Sequence, residues 1–162
     1  EQYDWTIEAV EYAEDLVKQF YQLAYRDWRG LHYDIKTLAD LQGSEITDQA
    51  FAQLVRYEMV IPEGTRKTRA TEFYRICVHD HKILDAVENR GDGIGFRPLV
   101  LYIVTHELVH VIRFRKLLEP DENPSRSDEE ARVHKVTGQI LKNVGMSGLD
   151  RVLESYKVCS TV

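Results

Sequence analysis

At 162 residues with a formal net charge of −6, the chain is long enough for one domain with a substantial core, and no Lys/Arg block is dense enough to suit nucleic acid. The apolar run from Leu99 to Ile112 is shorter than a membrane span and carries ionisable side chains near its end, so no membrane association is expected. Two cysteines, Cys77 and Cys159, are too few for a disulfide scaffold and read as small buried side chains; with no signal peptide visible, the expected location is cytoplasmic, although the chain opens at Glu1 and a trimmed N-terminus is compatible with that.

Residues 4–28 place Trp5, Ala9, Val10, Ala13, Leu16, Val17, Phe20, Ala24 and Trp28 at three-and-four spacing, which predicts a long amphipathic helix backing the core and stopped by Gly30. A short helix is expected over 33–41. Another is expected from Thr47-Asp48 through Ala50, Phe51, Leu54, Val55 and Met59 to Pro62, so 1–62 reads as a helical N-terminal part. Residues 63–97 read as a small sheet and a loop. Thr71–Val78 is rich in strand formers, Lys82-Ile83-Leu84 is expected to continue or pair with it, and Asp80 offers turn chemistry between them. His79 and His81 would alternate along that strand as an exposed pair. The three glycines of Asn89–Gly95 lack a strand–glycine–helix context for phosphate and read as a lead-in loop.

Residues 98–162 read as helices. Pro98 suits the first turn of the apolar helix, and Arg113, Arg115 and Lys116 follow it as favourable cations near a helix C-terminus. An acidic, turn-forming linker, Glu119–Pro124, leads to a helix over about 127–144 that ends at Gly145, and a last short helix covers about 148–158. The whole reads as α+β, mostly α, one domain over 1–162.

Within the apolar helix stands His106-Glu107-Leu108-Val109-His110. Two histidines four residues apart share a helix face and can reach one zinc ion, while the glutamate between them is turned about 100° away, where it can handle a water's proton. Random placement of the six His and fifteen Glu of this chain would produce the pattern about 2% of the time, by composition arithmetic. The plainer alternative, two histidines on an ordinary buried helix, would bury three polar side chains with no shared partner, which is costly. A catalytic zinc takes three protein ligands and keeps one open position. Glu130, twenty residues after His110 and on the following helix, is the expected third ligand. Glu129 is held in reserve, because Ser127 with Glu130 three residues on spells a capping box that would occupy the Glu130 carboxylate.

His-Glu-x-x-His followed about twenty residues later by Glu130-Ala131 resembles the gluzincin group of zinc metallopeptidases, the thermolysin-like enzymes and their smaller relatives. The resemblance covers about 99–145. It implies a zincin-like fold with an N-terminal backing helix, a small β-sheet, the motif helix and a following ligand-bearing helix. It also implies one Zn2+ held by His106, His110 and Glu130, with Glu107 as general base and acid. The substrate implied is a peptide or protein, hydrolysed by a metal-activated water. A strand just upstream of the motif helix would border the cleft and pair with an extended substrate. Where the group often carries an Asp four residues after the ligand Glu, this chain has His134, a partner for a ligand imidazole or an alternative ligand. The signature with a third histidine six residues after the second is absent, position 116 being Lys.

An oxyanion donor is expected among Tyr156, His79, His81 and Tyr102. Three other readings stand beside the peptidase: a zincin-like module that binds or regulates without cutting, a latent enzyme needing a partner, and a di-iron carboxylate helical protein built on Glu107-x-x-His110. The last needs a second Glu-x-x-His, which the spacing of Glu129 and Glu130 to His134 does not supply.

Overall fold

The computed structural model describes residues 2–65, 67–91, 93–116 and 125–159. The 119–124 linker and the Cys159 side chain lie outside what is described. The architecture is α+β and mostly helical: α1 (Gln2–Tyr21), α2 (Tyr25–Arg29), β1 (Tyr33–Thr37), β2 (Ala52–Glu63), β3 (Lys67–Val78), α3 (Asp80–Arg90), α4 (Phe96–Lys116), α5 (Arg126–Leu141) and α6 (Leu149–Cys159). None of the helices, among the described residues, is long and apolar enough to cross a membrane.

α4 is the central element. It packs against α1, α3, α5, α6 and the sheet, and it buries nearly every side chain from Leu99 to Ile112. Such a helix has no solvent face to spend on polar residues, so each ionisable group it carries needs a reason. α1 backs it with Ala9, Ala13 and Val17. The expected helix over 4–28 is in fact two. Gln22 takes a left-handed turn, φ 51°, the chain re-enters a helix only at Tyr25, and Phe20 and Ala24 point outward.

The sheet has the order β1-β3-β2, with β1 parallel to β3 and β2 antiparallel to it. β3 is thus the middle strand: Tyr33 to Thr37 flank Tyr74 to Val78 on one side, and Ala52 to Glu63 flank Val78 to Lys67 on the other. The expected edge for substrate pairing on this strand is therefore occupied along 74–78. Tyr74, Ile76 and Val78 turn toward the helices, and the Tyr74 ring stacks on Phe114 of α4 at 6.2 Å. On the other face Arg75 bonds Asp34 and the buried Glu45, and the Cys77 thiol lies fully buried, its pKa pushed up to about 12 by that burial.

Three expectations fail here. The helix over 47–62 is a strand. Its apolar residues satisfy helical spacing, but Val55, Tyr57, Val60 and Ile61 favour the extended chain and twelve residues of β3 pair with it, so the ladder outweighs the local pattern. Residues 33–37 are likewise extended, their helical part shrinking to a 3-10 turn at Leu38–Asp40. Conversely, Lys82-Ile83-Leu84 is helical: α3 starts at Asp80, buries Ile83, and closes on Gly91 in the left-handed region, φ 63°. The N-terminal 1–62 is accordingly a mixed segment supplying two of the three strands.

Candidate metal centre

The helical spacing in α4 sets His106 and His110 one turn apart on one face, and α5 brings Glu130 against them. The two Nε2 atoms stand 3.2 Å apart. Glu130 Oε2 is 3.4 Å from His106 Nε2, and its Oε1 is 3.3 Å from His110 Nε2. Among the described residues, these three form the cluster of His, Cys, Asp or Glu side chains able to share a metal ion. Both imidazoles are buried, while the Glu130 side chain is 43% exposed, so the cluster is reached from the α5 side.

Two uses of these atoms set different ideal distances. Charge-assisted hydrogen bonds close to about 2.7–2.9 Å. Around a tetrahedral zinc with bonds of about 2.0–2.1 Å, ligand atoms lie about 3.3–3.4 Å from one another. The two Glu130 contacts run to different oxygens, so they suit long hydrogen bonds from the imidazoles as well as a carboxylate set to approach an ion; taken one atom from each residue, the three groups lie within 4.8 Å of one another. His106 Nδ1 and His110 Nδ1 are buried and find no hydrogen-bond partner among the described residues. That leaves the Nε2 side as the only outlet for each ring's polarity. Two imidazoles and one carboxylate, with a fourth side open, is a donor set that zinc accepts.

Electrostatics follow the geometry. The imidazoles of His106 and His110 bond the Glu130 carboxylate and hold its pKa below the usual range. Glu107, half-buried on the same helix, stays outside the three-atom cluster. Burial pushes its carboxyl up, against the opposing pull of His106 and His110 and with a further push from Glu130. A carboxylate raised in this way is a stronger base than a free one. A di-iron site built on Glu107-x-x-His110 would need Glu107 in the cluster, and it is not there.

Glu129, the reserve ligand, is otherwise engaged. Arg113 forks onto it, Nε to Oε1 at 2.6 Å and Nη2 to Oε2 at 2.9 Å, and holds its pKa below the usual carboxylate value. The expected capping box at Ser127 does not form. α5 begins two residues earlier, with Ser125 as N-cap accepting from the Asp128 amide at 3.1 Å, which leaves Glu130 free to face α4. Sequence reasoning missed the Arg113–Glu129 pair, because residues sixteen apart on separate helices leave no local signal.

His134, one turn after Glu130, does not join the ligand cluster. Its ring centroid lies 4.5 Å from that of His106, and its Nδ1 meets the Tyr102 hydroxyl at 2.7 Å. Burial, then repulsion from His106, pulls its pKa down to about 4, so the ring is neutral at pH 7. Tyr102 in turn stacks on Tyr156 of α6 at 4.2 Å. Of the four expected oxyanion donors, Tyr102 thus stacks on His106 of the cluster at 6.2 Å, with Tyr156 one ring behind it. His79 does not serve that purpose: it is fully buried at the end of β3, and its ring is bonded to the backbone of Ala50, Glu45 and Thr47. His81 sits on α3 with its ring 6.3 Å from that of His79, so the two are not a strand pair.

Compared with protein families, with curated proteins and with solved structures, the chain gives no match.

Proposed function

We propose that this chain is a zinc-dependent peptidase of the gluzincin kind, with the α1, sheet, α4 and α5 arrangement serving as a minimal zincin-like scaffold. The observation that carries the reading is the convergence of His106 Nε2, His110 Nε2 and the Glu130 carboxylate, one ligand atom from each lying within 4.8 Å of the others. These three groups would hold one zinc ion. Such an ion supplies a Lewis acid that polarises a scissile carbonyl and makes water more acidic.

The chain's own residues do the rest. Glu107, its basicity raised by burial, removes a proton from the attacking water and passes it to the amine nitrogen that leaves. The buried walls of α4 keep bulk water from His106 and His110, and the exposed side of Glu130 leaves room for a peptide to approach. Neutral His134 stands against the His106 ring, where the gluzincin pattern has an aspartate, and steadies that imidazole by packing.

The test is direct. Purified protein should contain one zinc per chain and cleave an unfolded substrate such as casein, and a chelator should stop it. Glu107→Gln should keep the zinc and lose about 10²–10⁴-fold in turnover. Cleavage that survives the chelator, or that survives Glu107→Gln, contradicts the reading.

A further inference from the structure

α5 carries Glu130 on a stretch with no apolar anchor. Its buried residues are Val133, Thr137, Ile140 and Leu141, all C-terminal to Glu130, whereas Arg126, Ser127 and Asp128 are exposed. Hydrophobic packing therefore fixes the far end of α5 and leaves the first turns to be held by polar contacts. One contact there is built to a high standard. Arg113 stands one turn after His110 on α4, and Glu129 immediately precedes Glu130 on α5, so two cross-helix links lie side by side. The guanidinium meets the carboxylate at both oxygens, and the two side chains are only 15% and 13% exposed. The surface pair Arg56–Glu72, by contrast, has a single contact at 3.2 Å and exposures of 65% and 40%. A shielded two-point fork constrains orientation as well as distance, which a surface pair does not.

We propose that Arg113 and Glu129 are a positioning pair for the metal centre: the fork sets the rotation of the first turns of α5 so that Glu130 meets both imidazoles, and Glu129 cancels a cation that would otherwise repel a divalent ion beside His110. This rests on the zinc reading above. Neither residue belongs to the group of side chains that would hold the ion. Their effect passes through Glu130, and the two partners are not equivalent. Losing Glu129 frees Glu130 to rotate and also leaves the Arg113 charge uncompensated near the site. Losing Arg113 frees Glu130 to rotate but leaves a spare carboxylate able to reach the ion.

The experiment is a zinc titration with a competing chelator on wild type, Arg113→Met, Glu129→Gln, the double variant and the exchanged pair Arg113→Glu/Glu129→Arg, each with the melting temperature of the metal-free protein. His110→Ala serves as the control that the titration reads this site. Wild-type binding that His110→Ala abolishes secures the zinc reading. On that ground, Glu129→Gln should weaken zinc binding about 10–100-fold, Arg113→Met should weaken it less, and the exchanged pair should recover most of the loss. A fork that merely supports the fold would lower the metal-free melting temperature while leaving zinc affinity within twofold of wild type, and that result overturns the proposal alone. Wild type that binds no zinc, or binds it equally without His110, overturns this proposal together with the zinc reading.

Discussion

Two buried histidine environments in this molecule make opposite use of the same side chain. At the end of β3, His79 is fully buried and both ring nitrogens are engaged: Nδ1 lies 3.0 Å from the Ala50 carbonyl, and Nε2 either accepts from the Thr47 amide at 3.3 Å or donates to the Glu45 carbonyl at 3.1 Å, as its protonation dictates. On α4, His106 and His110 are nearly as buried, yet each leaves Nδ1 unpartnered among the described residues and turns Nε2 toward a shared point. Burial alone does not separate a structural histidine from a functional one. An unpartnered nitrogen alone does not either, since His81 Nδ1 is also buried without a hydrogen-bond partner among the described residues; what sets His106 and His110 apart is that both Nε2 atoms also converge with a carboxylate.

The comparison can be broken by mutation, and the largest effect should come from the α4 side. His110→Leu should abolish zinc binding and activity, yet cost the metal-free protein at most about 1 kcal/mol, since it removes a buried nitrogen without a partner together with the contact to half-exposed Glu130. His79→Leu should do the reverse. It strands the Ala50 carbonyl and whichever of the Thr47 amide and Glu45 carbonyl Nε2 satisfies, so unfolding free energy should drop by about 2–4 kcal/mol while the folded variant still binds zinc. Chemical denaturation of both metal-free variants measures the pair, and equal losses would erase the distinction drawn here.

A smaller effect should appear in acid, part of it at Glu45 beside His79. The Tyr57 hydroxyl, the Gln42 amide and Arg75 bond the Glu45 carboxylate and hold its pKa at about 2. Because the folded value lies below the unfolded one, near 4.5, this contribution is complete above the unfolded value and drains away as pH falls toward 2. Stability measured between pH 5 and pH 2.5 should decline in wild type, and Glu45→Gln should flatten that slope. The smallest effect belongs to the projecting end of the β2–β3 hairpin. Val60 is 60% exposed, so Val60→Lys should change stability by less than about 0.5 kcal/mol and leave zinc affinity unaltered.

What was legible in the chain tracks how local its causes are. The His106–His110 spacing, the apolar run around it and Glu130 on the next helix are consequences of helical periodicity, and α4, α5 and α6 lie within a few residues of their expected ranges. The sheet was half hidden. β2 pairs Ala52 with Val78, twenty-six residues on, and its Leu54, Val55 and Met59 fit a helical stripe until that partner is known. The burial of His79 is hidden for the same reason, since its partners come from the 45–50 connection and not from its neighbours in sequence. The choice between Glu129 and Glu130 turned on which serine caps α5. Ser125 and Ser127 are both good N-caps, and only the meeting of Arg113 with Glu129 across the helix pair separates the two carboxylates.

The claim on which the account rests is that three side chains from two helices share one ion, and zinc K-edge absorption on the stoichiometric complex tests it most directly. The account predicts a four-coordinate shell with two imidazole nitrogens and at least one carboxylate oxygen at about 2.0–2.2 Å, losing one imidazole in His110→Ala. A shell containing sulfur, a six-oxygen shell, or a spectrum unchanged by His110→Ala would contradict it.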